Sequence, residues 1–191
     1  QLPATTTAAP AHAAAPRERV VVSTDVLKLT LDSEGGTIVK SEFVKHADMA
    51  DPQKSTVLLD ENKDRFYVAQ TGLIGGAFPT HKTPMTVTGE RVLKDGVNEL
   101  AVKFESPDLG GVKLVKTYTF KRGSYAVAVK HDVINTGSAP VSPQLYLQLV
   151  RDGNKPPGES SFYSTFTGPA VFTDAKKYQK VEFSDIEKGK T

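Results

Sequence analysis

What most constrains this chain is an apolar–polar alternation of period two that occurs five times. In "LKLTLD", Leu27, Leu29 and Leu31 fall on one side while Lys28, Thr30 and Asp32 fall on the other. Successive side chains of a β-strand point to opposite faces, so such a run presents one apolar and one polar face. The pattern recurs in "ELAVKFESP", with Leu100, Val102 and Phe104 inward and Lys103 and Glu105 outward. It recurs in "VKLVKTYTF" (Val112, Leu114, Tyr118, Phe120) and in "YAVAVKHDVI" (Tyr125, Val127, Val129, Val133). Finally, "QLYLQLV" aligns Leu145, Leu147 and Leu149. Half-buried strands need a second layer over their apolar faces, and two stacked sheets supply it.

The joins between these runs carry turn chemistry. Gly35-Gly36, Asp95-Gly96, Gly110-Gly111, Arg122-Gly123 and Asn135-Thr136-Gly137 tolerate the positive φ that tight turns require. Short connections pair sequential strands antiparallel. No helix of three or more turns is expected, and "DAKKYQK" (174–180) is expected to make at most one turn. Longer loops fall at Lys45–Lys54, Gly72–Pro84 and Asp152–Ser160. The second, "GLIGGAFPTHKTP", is apolar enough to fold back onto a sheet. The fold class is all-β, an antiparallel β-sandwich.

Residues 1–19, "QLPATTTAAPAHAAAPRER", are a separate segment. Pro3, Pro10 and Pro16 interrupt any helix that the alanines would favour, so a disordered, partly extended tether is expected. The sandwich domain then occupies 20–191. The chain starts at Gln1 without a signal-peptide pattern, and no run approaches the roughly 18–20 apolar residues that span a bilayer. It is therefore read as soluble as it stands and as a piece of a longer protein. With 24 basic and 22 acidic residues the net charge is +2, which provides no strong field for nucleic acid. The absence of cysteine excludes disulfides, thiolate nucleophiles and cysteine metal sites, without fixing the compartment.

Few residues suggest chemistry. A phosphate cradle needs glycines ahead of a helix N-terminus, yet Gly35-Gly36 is followed by the β-like "TIVKSEF", and Gly75-Gly76 and Gly110-Gly111 also lack a helix. These glycines are read as turns. His12 lies in the tether, His46 and His81 in loops and His131 on a strand, with no metal-ligand spacing among them. The carboxylate pairs Asp60/Glu61, Asp48/Asp51 and Asp185/Glu187 are scattered, and Ser160 and Ser161 sit in no nucleophile elbow. Lys176, Lys177, Lys180, Lys188 and Lys190 interleave with Asp174, Glu182, Asp185 and Glu187. A solvated surface is expected there, with contact to anionic lipid headgroups as the sharper alternative. No catalytic, cofactor-binding or metal-binding residue is assigned, and no cofactor is expected.

Four stretches, in order, resemble one family. "TDVLKLTLDSEGGTIVKSEF" (Thr24–Phe43) resembles the opening strand pair of the periplasmic domain of YidC-type bacterial membrane protein insertases. "YVAQTGLIG" (Tyr67–Gly75) is similar to that family's Gln-Ser-Gly-Leu stretch, with Thr71 in place of serine. "YTFKRGSYAVAVKHDVINTG" (Tyr118–Gly137) is similar to its Arg-Gly-x-Tyr hairpin, although Phe120 stands one residue closer to Arg122-Gly123 than in some members. "FTGPAVFTDAKKYQKVEFSDI" (Phe166–Ile186) is similar to its Phe-x-Gly-x-Ala and Lys-Tyr-x-Lys-x-x-Phe stretch. The Ala/Pro/Thr tether fits the linker that follows the family's first transmembrane helix.

The resemblance implies a twisted β-supersandwich of the galactose mutarotase type, membrane-tethered at the periplasmic face of the inner membrane. The family's domain continues beyond its Phe-x-x-Ile stretch, here Phe183–Ile186, so the sheets are expected to be incomplete, with an open edge or apolar face. Insertase activity belongs to the family's transmembrane helices, whose residues are not in this sequence. The implied role is that of an accessory, non-enzymatic domain of an insertase and chaperone. Its implied partners are the Sec translocon with its accessory subunits and, through the parent protein, nascent membrane proteins. No motif places a partner contact. Two other classes stand beside this reading. One is a secreted structural or adhesion domain. The other is a carbohydrate-binding or mutarotase-like protein, for which His131 and Asp132 would be the forced acid–base candidates; as strand neighbours they point to opposite faces.

Overall fold

The computed structural model describes residues 16–155 and 166–189. The first sheet contains β1 (Arg19–Ser23), β2 (Leu27–Asp32), β3 (Thr37–Ala47), β4 (Ser55–Val57), β5 (Asp60–Glu61), β6 (Phe66–Ile74) and β11 (Gln144–Arg151). Its main path runs β1-β2-β3-β6-β11, with β4 beside β3 and β5 beside β6. The second sheet, from β7 (Thr86–Gly89), β8 (Glu99–Glu105), β9 (Val112–Lys121) and β10 (Val127–Asn135), runs β10-β9-β8-β7. All named strand pairings are antiparallel. The two sheets pack face to face as a sandwich.

The alternating runs build the core as their pattern predicts. Leu27, Leu29 and Leu31 meet Leu100, Val102 and Phe104 and the β9 series Val112, Leu114, Tyr118 and Phe120, all buried. Val20 and Val22 of β1 join them. The 72–84 loop does fold back: Leu73 N–H donates to the Pro79 carbonyl at 2.9 Å, and Phe78 packs against the core.

Two stretches depart from the expectation. The 174–180 segment is not a helical turn. Its residues close and form the second arm of a hairpin, β12 (Ala170–Thr173) with β13 (Lys177–Lys180), in register Phe172↔Tyr178. The edge-on Phe172–Tyr178 ring pair and the positive φ of Lys177 favour a β-turn over a helix. The one short helix among the described residues is α1 (Phe183–Glu187), a stretch where no turn was expected. Second, the apolar stripes of β10 and β11 lie on the inner side but are not covered. Val129 and Val133 are about two-fifths exposed, and Leu145, Leu147 and Leu149 are 45%, 71% and 66% exposed.

Of the segment expected to be a tether, residues 1–15 lie outside the described residues. Its last residues are bound into the domain. Arg17 Nε donates to Asp32 Oδ2 at 2.8 Å, and Arg19, which opens β1, pairs with both Asp32 and Glu61. Asp32 is buried, so these arginines neutralise a carboxylate that has little access to water.

Candidate functional site

Gly35-Gly36 is the corner between β2 and β3, with φ of 71° and 59°. Those values lie in the left-handed region, which glycine enters without steric cost. A methyl group on Gly35 would come within 2.2 Å of the His81 carbonyl oxygen, so the 72–84 loop presses directly on the corner. The turn reading holds, and the corner has a further role. Lys116 Nζ donates to the Gly35 carbonyl at 2.5 Å, and Tyr118 Oη donates to the Gly36 carbonyl at 2.5 Å. Both side chains reach across from the second sheet. The corner is thus an acceptor site for two buried donors.

Around it lies the most unusual chemistry of the molecule. Lys116 occupies the inner face of β9, between the positions of Leu114 and Tyr118, and is fully buried. Its Nζ also donates to the Thr71 carbonyl of β6 at 2.6 Å. Thr71 Oγ1 lies 2.8 Å from His131 Nε2, and His131 pairs across from Lys116 on β10. On the other side His81 Nδ1 is 2.5 Å from Tyr146 Oη, whose oxygen also accepts the His81 backbone N–H at 3.0 Å. Burial lowers the pKa of His81 and His131, and the charge of Lys116 adds to that lowering in both. Desolvation by burial brings Lys116 itself from 10.5 down to about 7. Burial pushes the Tyr118 phenol upward, so it remains a neutral donor.

The sequence candidates are distributed as follows. His131 faces this buried cluster, whereas Asp132 faces away and pairs with Lys130 at 2.8 Å. The two do not converge on one cleft. His46 meets Tyr125 Oη at 3.0 Å against Phe43, on a different part of the surface. Asp48 caps the turn at Ala50, Asp51 pairs with Lys54, and Asp60 holds Asn62. Lys177 stacks over Phe172 and Lys180 over Phe166, which anchors two of the C-terminal lysines by ring contacts. Ser160, Ser161, Lys190 and His12 lie outside the described residues.

Sequence reasoning missed Lys116 and Tyr146. One signal was available: Lys116 breaks the apolar series Val112, Leu114, Tyr118, Phe120 at an inward position. A charged residue in phase with a core stripe is buried or breaks the strand.

A second feature is a groove of about 640 Å³ between β11, the start of β12 and α1. Arg151 lies between the Tyr67 and Phe183 rings at its wall, 5.8 and 5.5 Å from their centroids. It adjoins the uncovered Leu149.

The chain matches a family described as the YidC periplasmic domain over residues 19–191. It is 52% identical over 174 residues to the membrane protein insertase YidC of Janthinobacterium sp. (strain Marseille), covering 91% of this chain and 30% of that protein. It is 50% identical over 182 residues to the protein of that name from Bordetella parapertussis, covering 93% of this chain and 32% of the relative. With the one from Herminiimonas arsenicoxydans it shares 48% identity over 190 residues, 98% of this chain and 33% of the relative. The chain spans about a third of the length of these curated relatives.

Proposed function

The chain belongs to the YidC periplasmic domain family, and on that premise we propose that it is an accessory, non-enzymatic part of a membrane protein insertase. It stands at the periplasmic face of the bacterial inner membrane, joined to its membrane part through the residues that precede Arg17. Its work is scaffolding and contact with the Sec translocon and its accessory subunits. Insertion itself, and contact with nascent membrane proteins, belong to the membrane-embedded remainder of the parent.

The observation that carries this reading is the uncovered inner face. The inward apolar stripes of β10, the end of the second sheet, and of β11, the end of the first sheet's main path, stay open, and Leu147 is 71% exposed. An apolar stripe of this size is a surface meant to be covered. The relatives are about three times as long as the matched region, and further strands of the same domain are the occupant proposed for it. The domain is then a rigid body built by continuing this sandwich.

The test is deletion of residues 20–188 from the membrane-bound parent, at verified normal abundance. Expected are near-normal insertion of a Sec-independent substrate and reduced co-purification of Sec subunits. Insertion lost as completely as in cells lacking the parent overturns the accessory role. Unchanged Sec co-purification overturns the contact role.

A further inference from the structure

Lys116 stands apart from anything the accessory role requires. It is fully buried, it crosses the space between the sheets, and among the described residues it makes no ion pair. Its two acceptors are backbone carbonyls: Gly35 at the β2–β3 corner and Thr71 in the middle of β6. A neutral amine has two N–H donors, and both are used here. An ammonium has three donors and a charge, and the groups facing it do not balance that charge. From β10 comes His131, and from the 72–84 loop comes His81, whose pKa burial, Lys82 and Lys116 push down and Glu34 pushes up. From β11 comes the neutral Tyr146 hydroxyl, held by His81. Asp132 faces outward to Lys130, and the Glu34 carboxylate leans on Arg17 at 3.7 Å. Asp132 and Glu34 act on the two histidines, but among the described residues no carboxylate pairs with Lys116, in a space where a charge without a partner is expensive.

We propose that Lys116 is a proton-operated strut between the two sheets. As a neutral amine it ties β9 to β6 and to the β2–β3 corner; when it takes up a proton the tie loosens. The folded amine accepts its proton near neutrality, against 10.5 in an exposed lysine. Between those values the unfolded chain binds more protons than the folded one, so stability rises with pH across that interval. Below it, Lys116 is charged in both states and its penalty is complete. His81 and His131, both lowered by burial, add a further loss as pH falls through the ordinary histidine range.

The experiment uses the 191-residue chain labelled with 13C at lysine Cε. Lys116 is followed by NMR from pH 5 to 11 and assigned through bonds to the β9 backbone, so that no variant is needed. A midpoint near 7 is expected; a midpoint at or above 10 overturns the proposal. Amide exchange, corrected for its intrinsic pH dependence, is read at Thr71, Gly36 and β9. Protection is expected to fall as the amine gains its proton, and unchanged protection overturns the strut. Urea unfolding then compares the chain with Lys116→Met. The folding constant of the parent chain is expected to gain about 400-fold on the variant between pH 7 and pH 10. Parallel curves for the two overturn the proposal.

Discussion

At the scale of single residues, the β2–β3 corner concentrates the steric demands of the fold. Gly35 and Gly96 share a left-handed backbone, with φ of 71° and 77°. They differ in surroundings: an added methyl meets the His81 backbone at Gly35 and open space at Gly96. A left-handed L-residue costs about 1–2 kcal/mol from its own sterics. Gly96→Ala is therefore expected to cost about 1 kcal/mol, and Gly35→Ala at least about 3 kcal/mol, because the backbone of the 72–84 loop must also move. Urea unfolding of both variants checks this, and equal costs would remove the close approach from the account. The glycine pair is legible in the sequence as a turn. Its second role, presenting two carbonyls to Lys116 and Tyr118, depends on residues about 80 positions away.

Elements of one pattern have different fates according to their place in the sheets. Leu29 and Leu147 stand in equally regular alternations, but Leu29 is 3% exposed and Leu147 is 71% exposed. β2 lies inside its sheet under the facing β8–β9 pair, whereas β11 is the last strand of its path and overhangs the second sheet, which stops at β10. Leu29→Ala is expected to destabilise the chain by about 2–5 kcal/mol. Leu147→Asn is expected to remain within about 0.5 kcal/mol in this chain. In a longer parent domain the same substitution is expected to cost more than about 1 kcal/mol, since the proposed further strands bury that leucine. Denaturation of the two substitutions in both lengths measures the difference, and a neutral Leu147→Asn in the longer protein contradicts strand completion. The hairpin of β12 and β13 makes a related point. "DAKKYQK" has helix-forming residues, but Phe172 and Tyr178 stack across a tight turn, and that pairing outweighs local propensity.

For the whole molecule, the open side predicts a stability deficit. A sandwich whose apolar inner face reaches solvent forgoes the burial that a covered one gains, at about 25 cal/mol per Å². The 191-residue chain is expected to melt several degrees below a parent domain that carries the further strands. Calorimetric midpoints decide this, and equal values would mean that the open face needs no cover. By itself the sequence determined the class of fold, because a period of two is a local property of an extended backbone and each stripe carries it without help from the rest. It also marked the corners at Gly35-Gly36, Gly96 and Gly123, since positive φ is a demand on one residue at a time. The resemblance in four ordered stretches pointed to the family that the matching relatives bear out. Only the tertiary structure decided which stripes are core and which overhang, for burial depends on where a strand ends up in its sheet. The same holds for the pairing of His131 with Thr71, residues 60 positions apart. It holds most of all for Lys116. A lysine in an apolar series reads in one dimension as an irregularity, and its environment exists only once β6, β9, β10 and the β2–β3 corner have been brought together around it.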